Sequence, residues 1–169
     1  MTVNKTIIGR NTRVDFIGLA TGIPAKIDTG ADSSAVWASQ ISIDETGVLS
    51  FVLFGETSEF YTGKTIKTRD FDVAKVRSSS GQTQIRYRTR LVVKIKSRII
   101  KTWFNLSDRS KNRFPVLIGR QTLNNKFLVD VSRYTFPGKQ NRSQPYLGEL
   151  MVKLRQNPAE FHKKYYERS

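Results

Sequence analysis

The sequence predicts a mainly β protein, on three observations. Short apolar runs near the N-terminus are separated by glycines, a long stretch after Gly81 alternates between apolar and basic residues, and the continuous apolar run Val116-Leu117-Ile118 ends in Gly119. In chain order, Thr6-Ile7-Ile8, Arg13 to Ile17 and Ile23 to Ile27 read as strands separated by Gly9, Gly18 and Gly22. Ser34 to Ala38 suits a strand or a helical turn, Ile41 to Asp44 alternates, and Leu49 to Phe54 is a strand that breaks at Gly55. From Phe71 the chain leads into the turn cluster Ser78-Ser79-Ser80-Gly81, and strict alternation follows for about fifteen positions, which predicts a long hairpin with a polar tip. Its expected apolar face holds Ile85, Tyr87, Leu91, Val93, Ile95 and Ile99, and its basic face Arg86, Arg88, Arg90, Lys94, Lys96 and Arg98. Trp103 to Leu106 continues the sheet, Val116 to Ile118 reads as a buried strand leading into a short helix, and Phe127 to Val131 as a further strand.

At Tyr134 the composition changes. Residues 1–133 are expected to form one domain and 134–169 a linker with a helical tail. In that tail Leu147, Leu150, Met151 and Leu154 stand at helical spacing, and Asn157-Pro158-Ala159-Glu160 has the pattern of an N-cap, an N1 proline and a capping glutamate.

Composition narrows the chemistry. A chain of 169 residues, 38% of them hydrophobic, has room for one sizeable core with a short appendage. No apolar run approaches the roughly 20 residues that span a bilayer, and the N-terminus lacks the apolar stretch of a signal peptide, so a cytoplasmic protein without membrane contact is expected. With no cysteine and His162 as the sole histidine, thiol chemistry and a Cys/His zinc site have no residues to build on, and the place of His162 in a Lys-rich tail argues against a Ser-His-Asp triad. Catalysis falls to carboxylates, hydroxyls or lysine. A net charge of +15, from 29 basic and 14 acidic residues, predicts attraction to polyanions or acidic peptides.

Against this background Asp28-Thr29-Gly30-Ala31-Asp32 stands out. It places a carboxylate on a tight turn directly after a strand, where neighbouring backbone N–H groups can fix its rotamer while it faces a substrate. Asp-x-Gly alone is also an ordinary turn signature. Two further motifs accompany it in order: the Ser/Gly tip at residues 78–81, and Val116-Leu117-Ile118-Gly119-Arg120. Together these resemble a retropepsin-type aspartic protease over about residues 5–133. The longer strings Ala25-Lys26-Ile27-Asp28-Thr29-Gly30-Ala31, Lys75 to Ser79, Asp108-Arg109 and Phe114 to Arg120 resemble the bacterial and archaeal retropepsin-like proteins labelled ATP-dependent zinc proteases. Neither half of that label has support here, because there is no ligand set for tetrahedral zinc and no Walker-type phosphate loop. No cofactor is expected.

The resemblance implies a retropepsin-like closed β-barrel with a flap hairpin and a C-terminal helical extension. It implies a homodimer, because each chain supplies one catalytic aspartate and a two-fold axis must bring two Asp28 side chains together. The dyad would share one proton, its charged member acting as base on a water and its protonated member polarising the scissile carbonyl. Thr29 and Gly30 would tie the two turns together and donate N–H groups. Ala31 and Asp32 would bind substrate backbone, with Gly119 and Arg120 bracing Asp32. Ser78, Ser79, Ser80 and Gly81 would form the flap that closes over substrate. Two departures are evident: the tip is Ser-rich where viral flaps are Gly-rich, and about fifty residues follow the Gly-Arg turn where viral chains soon end.

Three function classes follow. The first is an aspartic endopeptidase acting on a peptide or peptide-like bond, with an acidic, Glu-rich substrate suiting the charge. The others are a non-catalytic peptide-binding or scaffolding dimer of the same fold and a basic nucleic-acid-binding β-barrel. The intact Asp-Thr-Gly argues against the scaffold. Placement of Tyr87, Trp103 and Phe104 on or beyond the apolar face argues against a base-stacking platform and specific nucleic-acid binding.

Overall fold

The computed structural model describes residues 4–77, 83–137 and 145–165. The chain forms two compact units, Met1–Phe136 and Pro137–Ser169. In the first, the strands run β1 (Thr6–Ile8), β2 (Asn11–Phe16), β3 (Ala20–Asp28), β4 (Ser34–Ile43), β5 (Leu49–Leu53), β6 (Thr65–Thr68), β7 (Phe71–Arg77), β8 (Thr83–Ile95), β9 (Arg98–Ser107) and β10 (Val116–Gly119). A one-turn helix, α1 (Arg120–Leu123), and β11 (Phe127–Val129) complete it.

Hydrogen-bonded neighbours follow the order β10-β3-β2-β8-β9-β4, and β10 also pairs with β4, so six strands close into a barrel. Closure removes the open sheet edges that would otherwise invite aggregation. Alternation along each strand fills the interior: Val14 and Phe16 from β2, Ile23, Ala25 and Ile27 from β3, Leu91, Val93 and Ile95 from β8 are all buried. Phe16 is central, its ring 5.4 Å from that of Phe104 and 6.3 Å from that of Phe54. Outside the barrel, β5 and β6 extend from β4, β7 pairs with β8, and β1 forms a separate two-stranded parallel sheet with β11. The segment Ser34–Ile43 resolves the choice between strand and helical turn in favour of strand, with a bulge between Ser39 and Ser42.

Strand β10 matters most for the site. It enters between β3 and β4, parallel to the first and antiparallel to the second, although β3 and β4 are consecutive in sequence. The turn joining β3 to β4 therefore loops over the end of β10, and that turn carries Asp28 through Asp32.

The β7–β8 hairpin forms with Arg77 opposite Thr83. Its expected tip, Ser78 to Gly81, lies outside the described residues. The expected facial division differs at four residues. Ile85 of the expected apolar face is 68% exposed, and Arg98 stands opposite the buried Ile95 instead of on the basic face. Ile99 is 69% exposed, because the two-residue turn at Lys96 and Ser97, with Lys96 at φ 55°, sets Ile99 opposite Lys94 on the outer face. Trp103 sits opposite Arg90 on the basic face and not with the apolar residues, and its ring centroid is 4.9 Å from the Arg88 guanidinium and 4.7 Å from that of Arg90. The hairpin turn shifts the parity of β9 relative to β8, which a continuous alternation count does not anticipate.

The first unit extends through Phe136 because Asn11 holds it. The Asn11 Oδ1 accepts from the N–H groups of Thr135 and Phe136, both at 2.8 Å, and its Nδ2 donates to the Phe136 carbonyl at 2.9 Å. The second unit contains α2 (Pro145–Gln156) and α3 (Pro158–Tyr165). Asn157 caps α3: the Glu160 N–H donates to its Oδ1 at 3.2 Å, and its Nδ2 donates back to Glu160 Oε2 at 3.0 Å. No helix among the described residues is long and apolar enough to cross a membrane.

Candidate active site

Asp28 is the last residue of β3 and faces Gly119 across the parallel ladder. The chain turns sharply after it, so the N–H groups of Gly30 and Ala31 both donate to Asp28 Oδ1, at 3.1 and 3.2 Å. Two such donors on one oxygen fix the carboxylate rotamer and leave Oδ2 directed elsewhere. The side chain is 29% exposed, so it is accessible yet held. Lys26, two residues earlier and hence on the same face of β3, places its Nζ 3.7 Å from Oδ2.

The turn is fastened from below by the start of α1. The Arg120 N–H donates to the Ala31 carbonyl at 2.8 Å, and the Gln121 N–H to the Asp32 carbonyl at 3.1 Å. Gly119 permits this approach: a Cβ there would lie 2.5 Å from the Ser33 carbonyl carbon and oxygen and 2.9 Å from the Ala31 oxygen. Beneath the turn runs a chain of hydroxyls, two of them buried and the third half-buried. Ser34 Oγ accepts from the Gly119 N–H at 3.1 Å and lies 2.8 Å from Thr122 Oγ1, which lies 3.0 Å from Thr102 Oγ1.

The expected ion pair between Arg120 and Asp32 is present, with both side chains 62% exposed. Thr29 and Gly30 are exposed at the tip of the turn. Thr29, Asp32 and Arg120 line a concavity of about 540 Å3 together with Lys5, Phe127 and Val129, so the turn and the β1–β11 sheet border a common open surface. Of the residues singled out in the sequence, Asp28 to Asp32, Gly119 and Arg120 are thus brought together; Ser78 to Gly81 fall outside the described residues.

Lys26, Arg109 and the hydroxyl chain join the surroundings of Asp28 without a catalytic signature of their own in the sequence. Period-two spacing in a strand was sufficient to place Lys26 beside Asp28. Thr102 and Thr122 carry no sequence signal, since only the closed barrel brings them together. Arg109 stands in the loop between β9 and β10, which is braced internally: Asp108 Oδ1 accepts from the Ser110 N–H at 2.8 Å, and Arg109 Nε donates to the Phe114 carbonyl at 3.2 Å. Burial holds the Arg109 guanidinium below its ordinary value, Arg86 of β8 acts in the same direction, and the Asp28 carboxylate opposes both. The Arg109 guanidinium therefore stands within electrostatic reach of both the Asp28 carboxylate and Arg86. Among the described residues no three His, Asp or Glu side chains converge as metal ligands.

A closed six-stranded barrel, with an Asp-Thr-Gly turn looped over a Gly-Arg strand end, defines the retropepsin-like class of aspartic protease folds. This chain belongs to the RimB-like family, whose sequence model, described as retropepsin-like aspartic endopeptidase RimB, matches residues 7–140. Over 146 residues it is 28% identical to a probable alpha-L-glutamate ligase of Shewanella halifaxensis, covering 83% of this chain and 32% of that protein. A probable alpha-L-glutamate ligase of Shewanella pealeana is 28% identical over 137 residues, 78% of this chain and 30% of that one. The chain thus spans about a third of the length of these curated relatives. A Legionella pneumophila protein solved by structural genomics shares the fold with a TM-score of 0.61 at 23% identity, covering 76% of this chain and 95% of that one.

Proposed function

We propose that this chain is one half of a homodimeric aspartic endopeptidase that hydrolyses peptide bonds in a glutamate-rich substrate. The observation that carries the reading is the Asp28 carboxylate, held through Oδ1 by two backbone N–H groups and still accessible at a turn that the Gly119-Arg120 strand end supports.

Pairing about a two-fold axis sets two Asp28 side chains side by side, with Thr29 of each turn against its counterpart. The dyad holds one proton between its two carboxyl groups. Its ionised member takes a proton from water as the water oxygen attacks the scissile carbonyl carbon, while the protonated member donates a hydrogen bond to the carbonyl oxygen. The aspartic acid that took the proton from water passes it to the amide nitrogen, the C–N bond breaks, and a carboxylic acid and an amine leave with the dyad again holding one proton. Asp32, oriented by Arg120, binds substrate backbone, and the hairpin of β7 and β8 covers the bound chain.

The substrate class follows from charge and from the relatives. Arg109 brings positive charge within electrostatic reach of the Asp28 carboxylate, where a glutamate side chain of the substrate offers a matching carboxylate. Proteins named as alpha-L-glutamate ligases contain a stretch similar to this chain, which supports a substrate built from glutamate. The same likeness favours a second reading, a non-catalytic module that holds a glutamate chain for another enzyme.

Incubation with a synthetic oligoglutamate-tailed peptide, followed by mass spectrometry, tests the choice. Cleavage by the wild type that disappears in Asp28→Asn is expected of the endopeptidase. Cleavage that survives Asp28→Asn overturns it, and binding without cleavage by the wild type points to the holding module.

A further inference from the structure

The basic face of β8 extends beyond the site already described. Arg86, Arg88 and Arg90 alternate along the strand and therefore project from one face, at intervals of about 7 Å. Trp103 of β9 engages the guanidiniums of both Arg88 and Arg90, which limits their rotation and keeps them extended. Arg88 also gives Nη2 to Asp72 at 2.7 Å, whereas Arg90 is exposed and paired with no carboxylate among the described residues.

We propose that Arg86, Arg88 and Arg90, braced by Trp103, form a track that grips carboxylates of an acidic peptide several residues away from the bond being cut. This rests on the peptidase reading above and adds to it a binding surface remote from the dyad. Three features favour a peptide. The row begins at Arg86, whose charge acts on Arg109, the loop arginine that also feels the Asp28 carboxylate, so the row runs outward from the side of the site that Arg109 occupies. Its spacing of about 7 Å equals that of alternate side chains on an extended peptide. Trp103 is already stacked on two guanidiniums, and Tyr87, next to Arg88 in the strand and hence on its opposite face, packs against Phe71 with centroids 6.1 Å apart, so among the described residues no further aromatic interleaves these arginines for a nucleobase.

The test measures binding to the full-length Asp28→Asn protein, which separates the track from cleavage. Two fluorescent peptides share the residues around the proposed scissile bond, and one carries six additional glutamates. By anisotropy the long peptide is expected to bind several-fold more tightly at low salt, with the advantage shrinking as ionic strength rises. Adding Arg90→Gln should reduce the long-to-short affinity ratio about threefold. Lys67→Gln on β6 removes the same charge elsewhere and should leave that ratio in place. Equal binding of the two peptides overturns the track, as does an equal effect of Arg90→Gln and Lys67→Gln. A single-stranded RNA oligonucleotide that loses affinity on Arg90→Gln while the long peptide does not also overturns it. Failure of the wild type to cleave either peptide refutes the peptidase reading and leaves the anisotropy comparison to decide on the track.

Discussion

Gly119 stands opposite Asp28 in the parallel β3–β10 ladder, and its N–H donates to the Ser34 hydroxyl at the start of β4. One residue thereby links the strand that ends in the acid to the strand that leaves the turn. The geometry of Asp28 depends on a backbone contact that a side chain at position 119 would obstruct.

Gly119→Ala should accordingly destabilise the fold, because its Cβ would meet backbone atoms of Ser33 at 2.5 Å, and these cannot rotate away. A loss of about 3 kcal/mol, at the upper end of ordinary overpacking, is expected in urea denaturation. Gly30→Ala makes the internal comparison: its Cβ would lie 3.5 Å from Asp28 Oδ1, an ordinary contact, and the loss should stay below about 1 kcal/mol. Equal midpoints for Gly119→Ala and wild type would contradict the account.

Thr122→Val keeps the shape of a buried side chain and removes its hydroxyl from between Ser34 and Thr102. Leaving buried hydroxyls without a partner costs about 1–3 kcal/mol. Denaturation should show this loss, and Thr102→Val in the same background should add less than it does in wild type, since the two changes break one shared contact.

Arg120→Ala should behave in the opposite way. Its pair with Asp32 is solvent-exposed on both sides, so its contribution to stability lies within about 1 kcal/mol. Peptide cleavage should fall with the midpoint almost unchanged. A collapse in stability would show that Arg120 carries more of the fold than this pair.

Stability should decline on the acid side. Asp44 is held below its ordinary 3.8, first by the Val48 N–H and then by the Thr46 hydroxyl, and Asp130 is held below it by the hydroxyl and N–H of Ser132. A carboxyl lowered in the folded state binds protons more readily when unfolded, so its contribution is complete above the unfolded value and lost as pH falls through the folded one. Denaturation midpoints should therefore drop below about pH 4. Asp44→Asn should flatten part of that slope, and an unchanged slope would refute the assignment.

The legible and illegible parts of the chain divide along physical lines. Period-two alternation and turn residues exposed most strands of the barrel, and the capping pattern at Asn157 marked the helix that it caps. Asp28, Asp32, Gly119 and Arg120 were visible because their motif is local and the resemblance supplied their relation to one another. Trp103 and Ile99 lie on the outer face because the turn at Lys96 shifts parity, and periodicity along a chain does not carry across a hairpin. The Ser34–Thr122–Thr102 chain arises from barrel closure between residues distant in sequence, which no window of sequence contains.

The central claim is that Asp28 works only as a pair, and subunit mixing tests it most directly. Wild-type protein is mixed with an equal amount of Asp28→Asn protein, allowed to exchange subunits, and assayed on the oligoglutamate-tailed peptide at fixed total concentration. A shared dyad predicts activity near a quarter of that of undiluted wild type, because only about one dimer in four then carries two intact aspartates. Activity near one half would show that each chain acts alone and would contradict the account.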